Sequence, residues 1–206
     1  MPLDLASLVA PSTTAVVTSE CQHGVIGADS VLPELAAAAR ESVIPNGARI
    51  CAAARVAGVS VVHCVAGRRP DDRGSNRNAR LFKAMLKATP RLDFGSKAVE
   101  VVDEFALADS DIVLSRMHGV GPMTGTDVDS VLRNLGVRTM VVIGVSLNVA
   151  IPNLVFDAVN SGYQVVVVRD AVAGVPAEHG ESVLTHTLSM LATIVTTDEL
   201  LAAWTP

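Results

Sequence analysis

The stretch from Val141 to Val168, VVIGVSLNVAIPNLVFDAVNSGYQVVVV, most narrows what this chain can become. An apolar run, Val137 to Ile143, meets Gly144, and a short polar turn, Ser146-Leu147-Asn148, follows. A helix-length segment then ends at Gly162, and a second apolar run begins at Val165. Strand, tight turn, helix and strand in that order predict one βαβ unit. In such units the unpaired backbone N–H groups of the helix N-terminus sit beside the strand's carboxyl end, where ligands bind. The turn at 144–150 is therefore where chemistry is expected.

The same alternation runs along the rest of the chain. Thr14–Ser19, Val59–Val65, Asp111–Leu114 and Thr193–Thr196 read as further short strands. Leu32–Val43, Ala48–Ala57 (stopped by Gly58), Ala79–Ala88, Ala177–Leu191 and Asp198–Ala203 read as helices, as does a segment opened by Thr126 as N-cap and running to about Leu135. Residues 1–12 are expected to be a loose lead-in, 89–97 irregular, and Asp170–Pro176 a loop. Gly67–Asn78, GRRPDDRGSNRN, is polar and contains Gly and Pro, so it is expected to be a mobile or interface loop that does not pack. Strands alternating with helices imply an α/β fold, a three-layer α/β/α arrangement around a mostly parallel six-stranded sheet. The 206 residues suit a single domain, 1–206, with a core from about 13 to 204.

Composition excludes several classes of function. A net charge of −5 without basic blocks argues against a nucleic-acid partner. The apolar runs are too short for a transmembrane helix, and the N-terminus lacks the basic start of a signal peptide, so no membrane association is expected. Three cysteines, Cys21, Cys51 and Cys64, are an odd number without metal-like spacing. They suggest reduced thiols in a cytoplasmic protein. No GxGxxG or Walker pattern and no cluster of zinc ligands appears, so neither a cofactor nor a metal is expected.

Three segments fall at predicted strand ends: Glu20-Cys21-Gln22, Ser115-Arg116-Met117-His118 and Gly144 to Ala150. Their order and spacing, with Thr126-Asp127, Asp157-Ala158, Gly162-Tyr163 and Asp170-Ala171 between and after them, resemble the isochorismatase-like cysteine hydrolase family over residues 13 to 204. The resemblance implies a Rossmann-like sheet, a homo-oligomer, a small-molecule substrate and a cis peptide at Val145-Ser146. In many members of that family the site is an Asp, a Lys and a Cys. Glu20 stands at the Asp position, two residues before Gln22, and Arg116 at the Lys position. The segment 116–123 is one residue longer than usual, which leaves Ser115 as the other occupant of the Lys position. His118 matches a basic residue that often follows. Ala150, six residues after Gly144, stands where the nucleophilic Cys would be. Gln22, His118, Ser146 and Asn148 are then expected to contact substrate.

These departures change the chemistry. Ala150 offers no thiolate, so amide hydrolysis through a thioester is not expected there. Arg116 keeps a positive charge but does not shuttle protons. Glu20 keeps a carboxyl group on a longer arm. Isochorismatases proper also lack the Cys and cleave a vinyl ether with the carboxyl as general acid, so the resemblance leaves acid/base hydrolysis open. The competing reading is a catalytically inactive member, a ligand-binding or oligomeric structural protein. Each candidate also has a plainer reading. Glu20 and Arg116 make a structural ion pair, and His118 is a solvated loop residue. Cys21 would replace the missing thiol only if it shared a face with Glu20, whereas alternation along a strand separates neighbours.

Overall fold

Six apolar runs become six strands: β1 (Thr14–Ser19), β2 (Ser60–Ala66), β3 (Ile112–Arg116), β4 (Thr139–Val145), β5 (Gln164–Ala173) and β6 (Thr193–Val195). They form one sheet in the order β3-β2-β1-β4-β5-β6, and every neighbouring pair is parallel. The computed structural model describes residues 4–205. The helices are α1 (Leu5–Leu8), α2 (His23–Ile26), α3 (Pro33–Glu41), α4 (Val43–Ala57), α5 (Arg80–Met85), α6 (Val128–Asn134), α7 (Ala150–Asn160), α8 (Ala177–His186) and α9 (Thr197–Trp204).

Alternation along the strands divides the core in two. Val16, Val141, Ile143 and Val166 face one side and pack with residues of α3, α4 and α9. Ala15, Val17, Val142 and Val167 face the other and pack with residues of α6, α7 and α8. A parallel sheet covered on both faces needs strands apolar on both sides, which is why the runs read as continuous Val and Ile. The chain winds outward from β1 to β3, then returns to β4 on the other side of β1. The carboxyl ends of β1 and β4 therefore flank the point where the winding direction reverses, and loops leaving them diverge to open a crevice.

Several expectations are corrected. Asp170–Ala173 is strand, not loop. The β4–β5 register shifts between Val142 and Gly144, after which Gly144 pairs with Val172 and Val145 with Ala173. The lead-in contains α1, whose N-terminus Asp4 caps, and Trp204 Nε1 donates to the Val9 carbonyl at 2.9 Å. Helix α4 starts at Val43 and includes Pro45, which is tolerated because the first turn has no intrahelical use for its N–H. Helix α6 starts at Val128. The Thr126 hydroxyl instead donates back toward the Pro122 carbonyl at 2.6 Å. Helix α8 ends at His186, and a 3-10 turn follows at Leu188–Met190. Among the described residues no helix is long and apolar enough to cross a membrane.

Candidate active site

The crevice begins with Glu20, the first residue beyond β1. Its φ is +55°, a left-handed conformation rare outside glycine and asparagine. Such a residue persists only where its surroundings hold it. The Glu20 N–H donates to the Cys64 carbonyl at 2.8 Å, and two residues on, Gln22 locks the chain. Gln22 is wholly buried, donates to the carbonyls of Ala66 and Ala98 at 2.8 and 3.2 Å, and accepts from the Ala66 N–H at 2.7 Å. The expectation that Gln22 touches substrate is thereby corrected: its amide is consumed in tying the ends of β1 and β2 together.

Arg116 is the last residue of β3 and pairs in register with Ala66 at the end of β2. Its Nη2 donates to Glu20 Oε1, closing an ion pair between side chains 6% and 18% exposed. Ser115 lines a smaller, separate cleft, so Arg116 is the residue of the two that meets Glu20.

On the far side, Gly144 has φ +110°, and a Cβ there would lie 2.3 Å from the Ser19 carbonyl oxygen, so β4 approaches β1 only with glycine at this position. The Val145-Ser146 peptide is cis. The Val149 and Ile151 N–H groups turn back onto the Ser146 carbonyl at 3.2 and 3.0 Å. The N–H of Ala150, the first residue of α7, has no acceptor among the described residues. The Asn148 side chain is held by Val175, donating to its carbonyl at 2.6 Å and accepting from its N–H at 2.9 Å.

These elements enclose a cavity of about 550 Å³, within the range of small-molecule sites. Glu20, Arg116, His118, Ser146, Asn148 and Ala150 line it. His118 remains exposed, its ring 3.2 Å from the Gly125 carbonyl. Sequence reasoning missed the rest of the wall. Arg68, Ser75 and Asn76 come from the 67–78 loop, which was expected not to pack, and Asn76 Oδ1 accepts from the Gly119 N–H at 2.9 Å to fold it over the crevice. Leu81, Phe82 and Met85 come from α5, a short helix with no buried residue. A helix apolar on a face that packs against nothing was the available signal.

No cysteine lines this cavity. All three are buried and unpaired in disulfides. Desolvation pushes the Cys51 and Cys64 thiols up to about 12 and Cys21 well above its usual value, so none forms a thiolate readily. Cys21 packs in the core on the α4 side. No group of His, Cys, Asp or Glu among the described residues is arranged to hold a metal ion.

Five buried side-chain polar atoms among the described residues lack a hydrogen-bond partner: Arg68 Nε and Nη2, Ser75 Oγ, and Arg116 Nε and Nη1. All three residues line the cavity. A buried donor left unpaired costs about 1–3 kcal/mol.

A family model for the isochorismatase domain matches residues 14–199. Among curated proteins the chain is 29% identical over 102 residues to the isochorismatase family protein YwoC of Bacillus subtilis, covering 50% of this chain and 53% of that one, so the match spans about half of that relative's length. It is 29% identical over 174 residues to the ureidoacrylate amidohydrolase RutB of Pseudomonas syringae pv. syringae, covering 78% of this chain and 71% of that one. Among solved structures, a cysteine hydrolase from Pseudomonas syringae pv. phaseolicola superposes with a TM-score of 0.82 at 24% identity, covering 96% of this chain and 94% of that one, which shows a shared fold.

Proposed function

The chain belongs to the isochorismatase family, and from that premise we propose that it hydrolyses a small molecule by acid/base chemistry, without a thiol nucleophile. One observation carries the reading: Glu20 and Arg116 meet in the wall of an open cavity that no cysteine lines. Ala150 takes the place that a nucleophilic Cys holds in many relatives, and its free N–H points to a dipolar role. Arg116, through Nε and Nη1, and the Ala150 N–H receive the oxygen on which charge develops. Glu20 carries the proton.

On an ester or amide, the Glu20 carboxylate takes a proton from water as the water oxygen bonds to the carbonyl carbon. The proton then passes to the departing oxygen or nitrogen as that bond breaks. On a vinyl ether, protonated Glu20 gives its proton to the terminal carbon. Water adds to the resulting cation and returns a proton to Glu20, and the hemiketal opens to a carbonyl compound and an alcohol. Both routes regenerate Glu20, and neither forms a bond to the protein.

The second reading, a binding protein without turnover, has in its favour that Glu20 and Arg116 are already joined in an ion pair in the free chain. A panel of vinyl ethers, esters and amides separates the two. The proposal expects turnover by the wild type, with kcat/KM lowered about 10²–10⁴-fold in Glu20→Gln. No turnover across the panel would leave the binding reading standing, and equal rates in the two proteins would remove Glu20 from the chemistry.

A further inference from the structure

We infer that the cavity takes an amphipathic organic acid, with its carboxylate read by Arg68 and Ser75 and its apolar body lying against α5. The inference deepens the proposed hydrolase reading, on which it rests only in treating this cavity as the substrate site. Arg68 and Ser75 lie outside the Glu20, Arg116 and Ala150 group and belong to the 67–78 loop.

Arg68 is a buried guanidinium, two of whose nitrogens make no hydrogen bond. Its side chain is 7% exposed, and only Nη1 is hydrogen-bonded, donating to the Met85 carbonyl at 2.9 Å. Nε and Nη2 have no hydrogen-bond partner. Asp72 and Asp93 lie 3.5 and 3.6 Å from Nε, near enough to balance charge but too far to accept a hydrogen bond. Both aspartates are gripped instead by Arg91, at 2.9 and 3.0 Å. The free pair, Nε with Nη2, is the edge with which arginine holds a carboxylate through two parallel bonds. Arg55 uses that same pair on Asp111 in this molecule, at 3.0 and 2.6 Å. Ser75 Oγ, also buried and unpartnered, adds a third donor to the same wall.

Charge and shape agree. The cavity lining carries Arg68 and Arg116 against Glu20 and Glu34, and Arg116 is already paired with Glu20, which leaves Arg68 as the cation beside the apolar wall. The wall beside it is apolar, formed by Leu81, Phe82, Met85 and Leu86 of the α5 region, none of them fully buried. A small polar metabolite would leave that face wet. A ligand with a hydrocarbon or aryl body covers it.

Calorimetric titration with three probes tests this: 3-phenylpropanoate, its uncharged amide, and acetate. The wild type is expected to bind 3-phenylpropanoate about tenfold or more tightly than either the amide, which lacks the charge, or acetate, which lacks the body. Arg68→Gln should abolish the preference for acid over amide, and Arg68→Lys should restore part of it. If Arg68→Gln does not fold, Ser75→Ala, at a loop position, should narrow the preference several-fold. An amide that binds as tightly as the acid, or a preference that survives both substitutions, overturns the inference. Discrimination between acid and amide without any turnover would sink the hydrolase reading and leave this one intact. Turnover dependent on Glu20 without such discrimination would do the reverse.

Discussion

The two ends of β3 hold the same kind of pair and use it differently. At the amino end, Asp111 just precedes the strand, and Arg55 of α4 grips it through Nε and Nη2. Arg55 Nη2 also donates to the Phe105 carbonyl at 3.0 Å, and Asp111 accepts from the Ala108 N–H at 3.0 Å. His63 lies 3.4 Å from Asp111 through Nε2 and 3.0 Å from the Thr18 hydroxyl through Nδ1. With Asp111 as acceptor, Nε2 carries the proton and Nδ1 accepts from Thr18, so each group in the chain has a partner. At the carboxyl end, Arg116 makes one bond to Glu20 and leaves two buried nitrogens bare. Completeness distinguishes a structural pair from a site. The satisfied pair has nothing left to offer a ligand, while the unsatisfied one holds donors in place at a standing cost to the fold.

Substitutions at the two ends should therefore trade effects. The largest concerns Asp111, whose side chain is 1% exposed. Asp111→Ala strands Arg55 and should cost about 3–5 kcal/mol in urea unfolding, with turnover per folded molecule unchanged. Glu20→Gln should show the opposite pattern, its loss falling on turnover while unfolding shifts by about 1 kcal/mol or less. If Asp111→Ala lost activity without losing stability, the contrast between the ends would collapse.

Acidification should also act on the amino end first. Burial holds the His63 pKa below its ordinary 6.5, with the Asp111 carboxylate pulling the other way. Its folded pKa is depressed, so the unfolded chain binds the proton more readily. The contribution is complete above 6.5 and is lost as pH falls from there through the folded value. Asp111 adds a second loss below 3.8: burial works to raise its carboxyl, but hydrogen bonds from Arg55 and the Ala108 N–H, with the Arg55 charge, hold it lower. Unfolding free energy measured between pH 7 and 5 should thus decline in the wild type and flatten in His63→Gln. A decline of equal slope in both would place the titrating group elsewhere. The smallest effect belongs to Thr18→Val, which removes one neutral hydrogen bond to Nδ1 and should cost about 1 kcal/mol in the same measurement.

Much of this was legible in the chain itself. The six strands were marked by apolar runs, and the catalytic candidates by their places at strand ends. Glu20, Arg116, Ser146 and Ala150 reach one cavity because parallel strands deliver all their carboxyl ends to the same edge. Gln22 was misread because its neighbours in sequence do not reveal that Ala66 and Ala98 would take its amide. The extension of β5 to Ala173 was hidden by a register shift that only pairing with β4 creates. The helix over α5 was legible, but Arg68 and Ser75 escaped notice because a polar, glycine-containing segment carries no periodicity to announce where it will fold.

Local pattern alone determined the α/β order, the carboxylate and arginine at strand ends, and the alanine six residues after Gly144. These depend on spacing and residue type, which a linear reading contains. Tertiary structure decided which donors are spent and which are free. Glu20 and Arg116 lie 96 residues apart, and whether a guanidinium nitrogen finds an acceptor depends on groups brought together from distant parts of the chain. That distinction separates the arginine at one end of β3, with its buried donors engaged, from the one at the other end, which keeps two buried nitrogens without partners.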